Sequence, residues 1–408
     1  MRVPRGAVIG LEMEANPGAV SFAKSLSDGG TPVAVIPFSR SSHLDKLEGL
    51  DANVEVVFSE TDLADSPTTV KARTKALLEG ARRLGLDPSS AAAIGAAPDS
   101  VAAGRAGGFA LTLGVDPDRA LGLRVRGADA VVASLAALPD EIAAWSGLIE
   151  PPPHALASLD HLTSRLSGHP AVFLDYDGTL TPIVDDPVQA NIDDEARSSL
   201  EGLAQIGPVS IVSGRGLDDV RSHVRVDSLN YSGSHGFEIE LADGTRIEQE
   251  EAAGAIPDLD QAEQLLENGT QALSGVFVER KPYAIAVHTR RASSDNDRRA
   301  AASLAEDVAA KFDQLILTGG KEIHELRPAV EWDKGSAIER LLGLLPGDRE
   351  PIYVGDDDTD EDGFRAARRL GGVGVVVGPK AGAETWADYS LVDPDEVIQF
   401  LARLAVRP

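Results

Sequence analysis

The sequence predicts an α/β protein built on buried parallel strands. Short apolar runs, bounded by turn residues and separated by helical stretches, occur at Ala171–Leu174, Val209–Val212, Ile352–Val354 and Val373–Val377. Buried parallel strands are apolar on both faces. Polar clusters directly follow the first three runs, at the strand ends where ligands bind in such sheets.

A helix is predicted before the first strand, at Ala155–Leu166, and helices are predicted between the strands at Ile192–Leu203 and Ser336–Leu345. The stretch from about residue 243 to 327 differs, because it predicts an α+β unit inserted into the parallel-sheet domain. Its predicted strands and helices are Val276–Val278, Tyr283–Thr289, Gln314–Thr318, Gln261–Ala272 and Arg298–Lys311.

The chain has 408 residues, a length that favours two or three domains. Three consecutive prolines at Pro151–Pro153 predict a stiff linker. We therefore expect an N-terminal domain (1–150), a linker and helix (151–168), a core (169–242 and 328–408) and the inserted unit (243–327).

The N-terminal domain is predicted to be a degenerate copy of the core. Pro32–Ile36 leads to Ser39 as Pro208–Val212 leads to Ser213. Ala96 and Ala97 stand where the second half has Asp356 and Asp357, and Glu12 and Glu14 stand in place of Asp175 and Asp177. We expect this domain to be non-catalytic.

Composition excludes several classes of function. The 65 acidic and 38 basic residues give a net charge of -27, which disfavours nucleic acid and anionic membranes as partners. There are no cysteines, so disulfides, Cys-ligated metals and thiol chemistry are excluded. No apolar run is long enough for a membrane span or a secretory signal, and the expected location is the cytoplasm.

Asp175 and Asp177 follow the Ala171–Leu174 run and precede Gly178. One aspartate of such a pair can act as a nucleophile that forms an acyl phosphate. The other can protonate a leaving oxygen and later activate water. A turn with helix-capping acids is the alternative, because Asp-Gly is a common turn pair.

A second acidic cluster, Asp356–Asp362, holds six acids and lies between two apolar strands. Oxygen ligands with phosphate nearby favour Mg²⁺, although such a run can also be a solvated loop. Ser213 and Lys334 could hold phosphoryl oxygens. Lys334 stands at a predicted helix start, where the helix dipole disfavours lysine; each could also be a surface residue.

The ordered set of these four pieces resembles the haloacid dehalogenase superfamily of aspartate-nucleophile phosphohydrolases. Further segments resemble its trehalose-6-phosphate phosphatase branch, with Thr289 where that branch usually has Tyr. The segments are Gly233–Gly236, Glu279–Pro282, His288–Arg290, Glu325–Pro328 and Thr359–Asp362. The resemblance covers about residues 169–408 and implies a Rossmann-like core with the inserted unit as a cap.

The resemblance also implies residue roles. Asp175 is the nucleophile, and Asp177 is the general acid and base. The Mg²⁺ ligands are Asp356, the Asp175 side chain and the Asp177 carbonyl, and Asp357 and Asp360 support this metal site. Ser213 and Lys334 are the other catalytic residues, and both hold phosphoryl oxygens. The residues expected to bind substrate are Gly214, Arg215, His235, Glu279, Lys281, Arg290 and Glu325.

The expected function is hydrolysis of trehalose 6-phosphate to trehalose and phosphate through an aspartyl-phosphate. Two alternatives stay open at this point. One is a phosphatase or phosphomutase for another sugar phosphate, which differs only in the cap residues. The other is a regulator that binds a sugar phosphate without turnover, which is the preferred interpretation for residues 1–150.

Overall fold

The computed structural model describes residues 4–11, 18–38, 54–56, 69–139, 141–149, 151–166, 170–184, 187–320, 322–330, 332–378 and 385–406. The chain divides into two compact units, Met1–Pro170 with Asp348–Glu396, and Ala171–Gly347 with Val397–Pro408. Both contain helices and parallel strands, which confirms the predicted α/β class. Among the described helices, none is long and apolar enough to cross a membrane.

The N-terminal part of the first unit is a six-stranded parallel sheet. Its strands are β1 (Gly6–Leu11), β2 (Val33–Pro37), β3 (Val54–Val56), β4 (Ala91–Gly95), β5 (Leu111–Val115) and β6 (Ala130–Val132). Their order across the sheet is β3-β2-β1-β4-β5-β6. The helices are α1 (Ala19–Asp28), α2 (Val70–Arg83), α3 (Pro98–Ala106) and α4 (Ala120–Val125).

This sheet is buried on both faces, as its apolar strands predict. Along β1, Ala7 and Ile9 pack into one core and Val8 into another. Glu12, Glu14 and Ser39, which were compared with the residues of the second half, lie outside the described residues.

The segment after the three prolines forms a shorter helix than predicted. α5 spans Leu159–Ser164 rather than Ala155–Leu166. The Ala155 amide donates to the carbonyl of Ser390 at 2.8 Å, and His154 forms an isolated bridge with the same residue. Residues 155–158 are therefore a turn, because their backbone is bound to a neighbouring strand.

The second unit begins with the strands that carry the acid pair and Ser213. Its elements are β7 (Ala171–Leu174), α6 (Asp194–Ala204), β8 (Val209–Val212), α7 (Leu217–Val224), β9 (Asn230–Gly233), β10 (Glu238–Glu240) and β11 (Arg246–Glu248). β7, β8 and β9 are parallel, and β10 and β11 extend the sheet as an antiparallel hairpin. The predicted start of the insertion, residue 243, falls between β10 and β11.

An antiparallel sheet with two long helices follows. Its elements are α8 (Glu250–Gly254), α9 (Ile256–Thr270), β12 (Phe277–Lys281), β13 (Ala284–His288), α10 (Asp295–Ala309), β14 (Leu315–Gly320) and β15 (Ile323–Pro328). The strand order is β12-β13-β15-β14, and α9 and α10 pack against Ile285, Val287 and Leu326 on one face. The α+β character agrees with the prediction, whereas β15 was not predicted as a strand.

The chain then returns to parallel strands through α11 (Lys334–Leu344). β16 (Pro351–Gly355), α12 (Asp360–Arg369), β17 (Val373–Val377) and β18 (Tyr389–Leu391) belong to the first unit. These three strands are parallel, in the order β16-β17-β18, an arrangement that matches β4-β5-β6. The last helix of the described residues is α13 (Pro394–Ala405).

A buried carboxylate joins the N-terminal sheet to this returning segment inside the first unit. Asp388 is 5% exposed and pairs with Arg105, Arg165 and Arg368. It also accepts the Gly374 amide at 3.0 Å. Burial alone would raise the pKa of Asp388, but the three guanidinium groups outweigh it and hold that pKa well below its usual range.

We expect Asp388→Ala to lower the free energy of unfolding by about 3–5 kcal/mol, because it leaves buried arginines without their shared partner. Urea unfolding followed by circular dichroism measures the change, and Asp348→Ala, at an exposed position, is the control. Equal midpoints for the two variants would contradict the role of Asp388.

The same carboxylate predicts a pH dependence. Its folded pKa lies below the unfolded value of about 4, so its stabilisation is present above pH 4 and is lost as pH falls. The difference in stability between the wild type and Asp388→Asn should therefore narrow below about pH 4, which urea unfolding at several pH values tests.

Candidate active site

The acid pair lies at the carboxyl end of β7. Asp175 is 5% exposed and directly follows the four buried residues of the strand. Gly178 has φ of +89°, and its amide donates to the Thr181 carbonyl at 2.8 Å. The chain therefore turns immediately after Asp177, at a position that requires glycine.

Lys334 is the cation that compensates Asp175. Its Nζ lies 2.7 Å from Asp175 Oδ1, and the two side chains are 4% and 6% exposed. Asp333 caps α11 by accepting the Ser336 amide at 2.7 Å, which places Lys334 at the first helical position. The structure thus brings together two predicted catalytic residues from distant parts of the chain and buries both.

Arg215 holds the second acid. Its Nε and one terminal nitrogen each lie 2.7 Å from a different oxygen of Asp177, a bidentate pair. The hydrogen bonds to Asp177 raise the pKa of Arg215 above its usual value. Arg215, predicted to bind substrate, therefore contacts the predicted general acid in this conformation.

Ser213 and His235 lie beside this pair in the turns after β8 and β9. Ser213 is 1% exposed, its Oγ accepts the Arg215 amide at 3.1 Å, and its carbonyl accepts the His235 amide at 2.9 Å. A Cβ on Gly214 would lie 2.7 Å from the His235 ring. Gly214 therefore leaves room for the imidazole rather than offering a side chain of its own.

His235 connects the core to the cap electrostatically. Desolvation and the charge of Lys334 lower the pKa of His235 to about 4, so its imidazole is neutral at pH 7. Lys281 and Arg327 act in the same direction, and Glu325 opposes them. These side chains are therefore within electrostatic reach of His235.

The sheet face not covered by α9 and α10 carries the predicted cap residues. Glu279, Ala286 and Glu325 stand opposite one another across β12, β13 and β15, so they share this open face. Lys281 lies on the same face and pairs with Glu325, with its Nζ 2.8 Å from the carboxylate. Glu279 bonds instead to His288, at 2.8 Å.

Arg290 is placed differently from the other predicted cap residues. It lies beyond β13, at the end of the strand opposite the one where Lys281 pairs with Ala284, a separation of about 20 Å along the strand. Its side chain is 76% exposed and pairs with Glu322 at 3.2 Å. The structure groups Glu279, Lys281 and Glu325 but leaves Arg290 at the far end.

Three residues on the open face or beside His235 were not among the predicted site residues. Phe277 and His288 stack with ring centroids 4.3 Å apart, and Arg327 acts on His235. The alternation of strand side chains was the available signal, since Arg327 lies two residues from Glu325 and Phe277 two from Glu279. For Arg327 that signal required knowing that β15 is a strand.

The second acidic cluster lies in the first unit, in the loop after β16 and the first turn of α12. Asp360 is 0% exposed and accepts the amides of Asp356 and Asp357 at 2.9 Å each, as well as the Tyr353 hydroxyl. Asp357 accepts the amide and hydroxyl of Thr359. Asp360 therefore fixes the loop, while Asp356 and Asp360 present carboxylate oxygens within 4.8 Å of one another, a donor set that suits a metal ion.

Comparison with known proteins shows one family match that spans both acidic clusters. The trehalose-phosphatase family model matches residues 173–395, a span that includes both acidic clusters. A trehalose-phosphate phosphatase of Mycobacterium marinum is 40% identical over 343 residues, which cover 82% of this chain and 86% of that one. The solved C-terminal domain of a C. albicans trehalose-6-phosphate phosphatase is 26% identical with a TM-score of 0.51, over 62% of this chain and 98% of that one.

One relative that matches nearly the whole chain is itself much longer. An uncharacterised glycosyl hydrolase of Mycobacterium tuberculosis is 39% identical over 404 residues, which are 94% of this chain. The chain spans only 30% of that protein's length. The family match covers more than half of the chain, and with the β7 acid pair, Lys334 and the β16 acidic loop in place, the chain belongs to the trehalose-phosphatase family of the haloacid dehalogenase superfamily.

Proposed function

We propose that the protein is a Mg²⁺-dependent phosphatase that hydrolyses trehalose 6-phosphate to trehalose and phosphate through an aspartyl-phosphate. The buried pair of Asp175 and Lys334 at 2.7 Å is the observation that carries this proposal. A buried carboxylate needs a cation, and one at a strand end beside a second acid suits nucleophilic attack on phosphorus. The family match supports the same chemistry.

The reaction has two balanced steps. Asp175 attacks phosphorus and forms an acyl-phosphate bond while the bond to the sugar oxygen breaks, and Asp177 gives that oxygen its proton. Asp177 then takes a proton from water, whose oxygen attacks phosphorus and displaces Asp175. Since both Asp177 oxygens are bound to Arg215, that pair must loosen before Asp177 can transfer a proton.

The proposed Mg²⁺ ligands are the carboxylates of Asp175 and Asp356 and the carbonyl of Asp177. Oxygen donors suit this ion, and the bonds from Asp360 to the loop amides hold Asp356 in a defined backbone position. The ion would supply the positive charge that phosphoryl oxygens need during transfer. Ser213 and Lys334 provide further donors to the same oxygens.

The open face of the cap supports a sugar as the substrate. Glu279, Lys281 and Glu325 offer acceptors and donors side by side, as a polyhydroxylated ligand requires. Pro282 lies within 3.3 Å of a Cβ placed on Gly216, so the Lys281 end of the cap approaches the core loop next to Arg215. We infer that the disaccharide lies between these groups, with its phosphate at Asp175.

For residues 1–150 we propose a non-catalytic copy of the core. β3-β2-β1 has the arrangement of β9-β8-β7, and β4-β5-β6 has that of β16-β17-β18. Ala96 and Ala97 follow β4, where Asp356 and Asp357 follow β16. The cytoplasmic location and the exclusion of nucleic acid and membrane partners stay predictions from the sequence.

The covalent intermediate predicts distinct behaviour for the two acids. We expect Asp175→Asn to reduce phosphate release by at least about 10³-fold, because the nucleophile is lost. Asp177→Asn should retain attack on p-nitrophenyl phosphate, whose leaving group needs no acid, but lose the hydrolysis step. A burst of one nitrophenol per enzyme, measured by stopped flow, is expected for Asp177→Asn; steady turnover at the wild-type rate would contradict the assignment.

The metal site predicts loss of activity with EDTA and its return with Mg²⁺. Asp356→Asn should raise the Mg²⁺ concentration for half-maximal activity by about tenfold or more, since one ligand is weakened. Asp358→Asn, at an exposed position in the same loop, is the matched control. Activity that survives EDTA, or equal Mg²⁺ requirements for the two variants, would exclude the proposed site.

The position of the cap residues predicts that a substitution there weakens binding of the sugar without slowing hydrolysis of the phosphate ester. We expect Lys281→Ala to raise KM for trehalose 6-phosphate by about tenfold while leaving p-nitrophenyl phosphate turnover unchanged. Lys311→Ala, at an exposed position of the cap, should change neither. A panel of other sugar phosphates tests the remaining alternative: faster release from another member would keep the mechanism and replace the substrate.

A further inference from the structure

A cleft of about 360 Å³ in the first unit is unusually basic for this protein. The described residues that line it include four arginines and one acid, whereas the whole chain carries 65 acidic and 38 basic residues. These charged residues are Arg105, Arg365, Arg368, Arg369 and Asp87, and Trp386 adds an aromatic wall.

The arginines come from two helices. Arg105 belongs to α3 of the N-terminal sheet, and Arg365, Arg368 and Arg369 belong to α12. Arg365 and Arg369 are four residues apart, so they lie on one face of α12. The helix starts at Asp360, and two acids of its first turn border the cleft, because Asp362 pairs with Arg365 and Glu361 accepts the amide of Trp386.

The acidic residue that lines the cleft already accepts hydrogen bonds from its own turn. Asp87 accepts the amide of Ser89 at 2.8 Å and its hydroxyl at 2.6 Å. These two bonds, together with a smaller effect of Arg365, keep the pKa of Asp87 below its usual value. Among the described lining residues one carboxylate therefore faces four guanidinium groups, and one of these, Arg365, also pairs with Asp362 beside the cleft.

The buried partners do not balance the charge. Three arginines, Arg105, Arg165 and Arg368, share Asp388, and Arg368 also reaches Asp129. Burial, together with the two neighbouring guanidinium groups, lowers the pKa of Arg105 to about 9 despite Asp388. Among the residues that the structure describes, Arg105 Nε has no hydrogen-bond partner although it is buried.

Helix dipoles explain only part of this arrangement. Arg105, Arg368 and Arg369 lie in the last turns of their helices, where a cation is favoured. For the buried Arg105 and Arg368 this effect is smaller than the cost of removing a guanidinium from water. Arg365 lies outside the last turn and pairs with Asp362 through one terminal nitrogen, which leaves its other nitrogens for an anionic ligand in the cleft that it lines.

We propose that this cleft binds the phosphate group of a small phosphorylated molecule, at a site separate from Asp175. Guanidinium groups bind phosphate in a bidentate manner. The volume is at the lower end of the range for small-molecule sites, and the net charge of the protein opposes a polyanionic macromolecule. Trp386, over which Arg368 lies at 5.7 Å, provides a flat wall for the rest of the ligand.

Trp386 is also a natural reporter of this site. The chain has three tryptophans; Trp145 is fully buried, and Trp332 lies beside Gly236 near the candidate active site. Trp332→Phe therefore removes the fluorophore next to the active site and keeps Trp386. Titration of this full-length variant with inorganic phosphate, in EDTA, is expected to change tryptophan emission in a saturable manner.

The matched comparison is between two pairs of arginines in the Trp332→Phe background. Arg365→Gln with Arg369→Gln should raise the half-saturating phosphate concentration at least tenfold. Arg340→Gln with Arg403→Gln, at exposed positions elsewhere, should leave it unchanged. Phosphatase activity and circular dichroism verify folding, because neither pair belongs to the catalytic machinery.

Several outcomes would overturn the proposal. They are no emission change with phosphate, the same half-saturation in both double variants, or the same emission change with sodium chloride at equal ionic strength. The test does not depend on the proposed phosphatase function, since it measures emission from Trp386 without metal or turnover.

Discussion

The buried ion pair of Asp175 and Lys334 is the constraint around which the second unit is organised. Neither side chain is stable in the interior alone, because an uncompensated buried charge costs several kcal/mol. Asp175 directly follows β7, and Lys334 begins α11 after the inserted cap. The pair therefore fixes where the chain must return, and it places a lysine at a helix start that the helix dipole disfavours.

The turns around this pair depend on glycines. Gly178 turns the chain after Asp177 with a positive φ, and Gly214 leaves space for His235. These contacts bring His235, Arg215 and Lys334 to one edge of the sheet, near the Lys281 end of the cap. A neutral His235 in this environment avoids adding another positive charge beside Lys334 and Arg327.

The N-terminal sheet forms without acids after β4. The orders β3-β2-β1 and β4-β5-β6 have the arrangements of β9-β8-β7 and β16-β17-β18, with alanines after β4. Parallel sheets are held by apolar strands buried on both faces, so the fold does not need acids at this position. The buried cluster around Asp388 then gives this sheet a structural role, because it ties α3 to the segment that contains β17 and β18.

The sequence by itself determined the apolar strands, the two acidic clusters and a helix beside Lys334, because burial on both faces of a sheet and the amphipathic period of a helix leave direct marks on the chain. It did not predict β15 or the hairpin of β10 and β11, because these strands mix polar with apolar side chains. Only the tertiary structure decided that Arg215 binds Asp177, that Arg290 lies far from Lys281, and that Asp388 gathers three arginines. These pairings join residues distant in sequence, and their partners are set by the strand order and not by any local pattern.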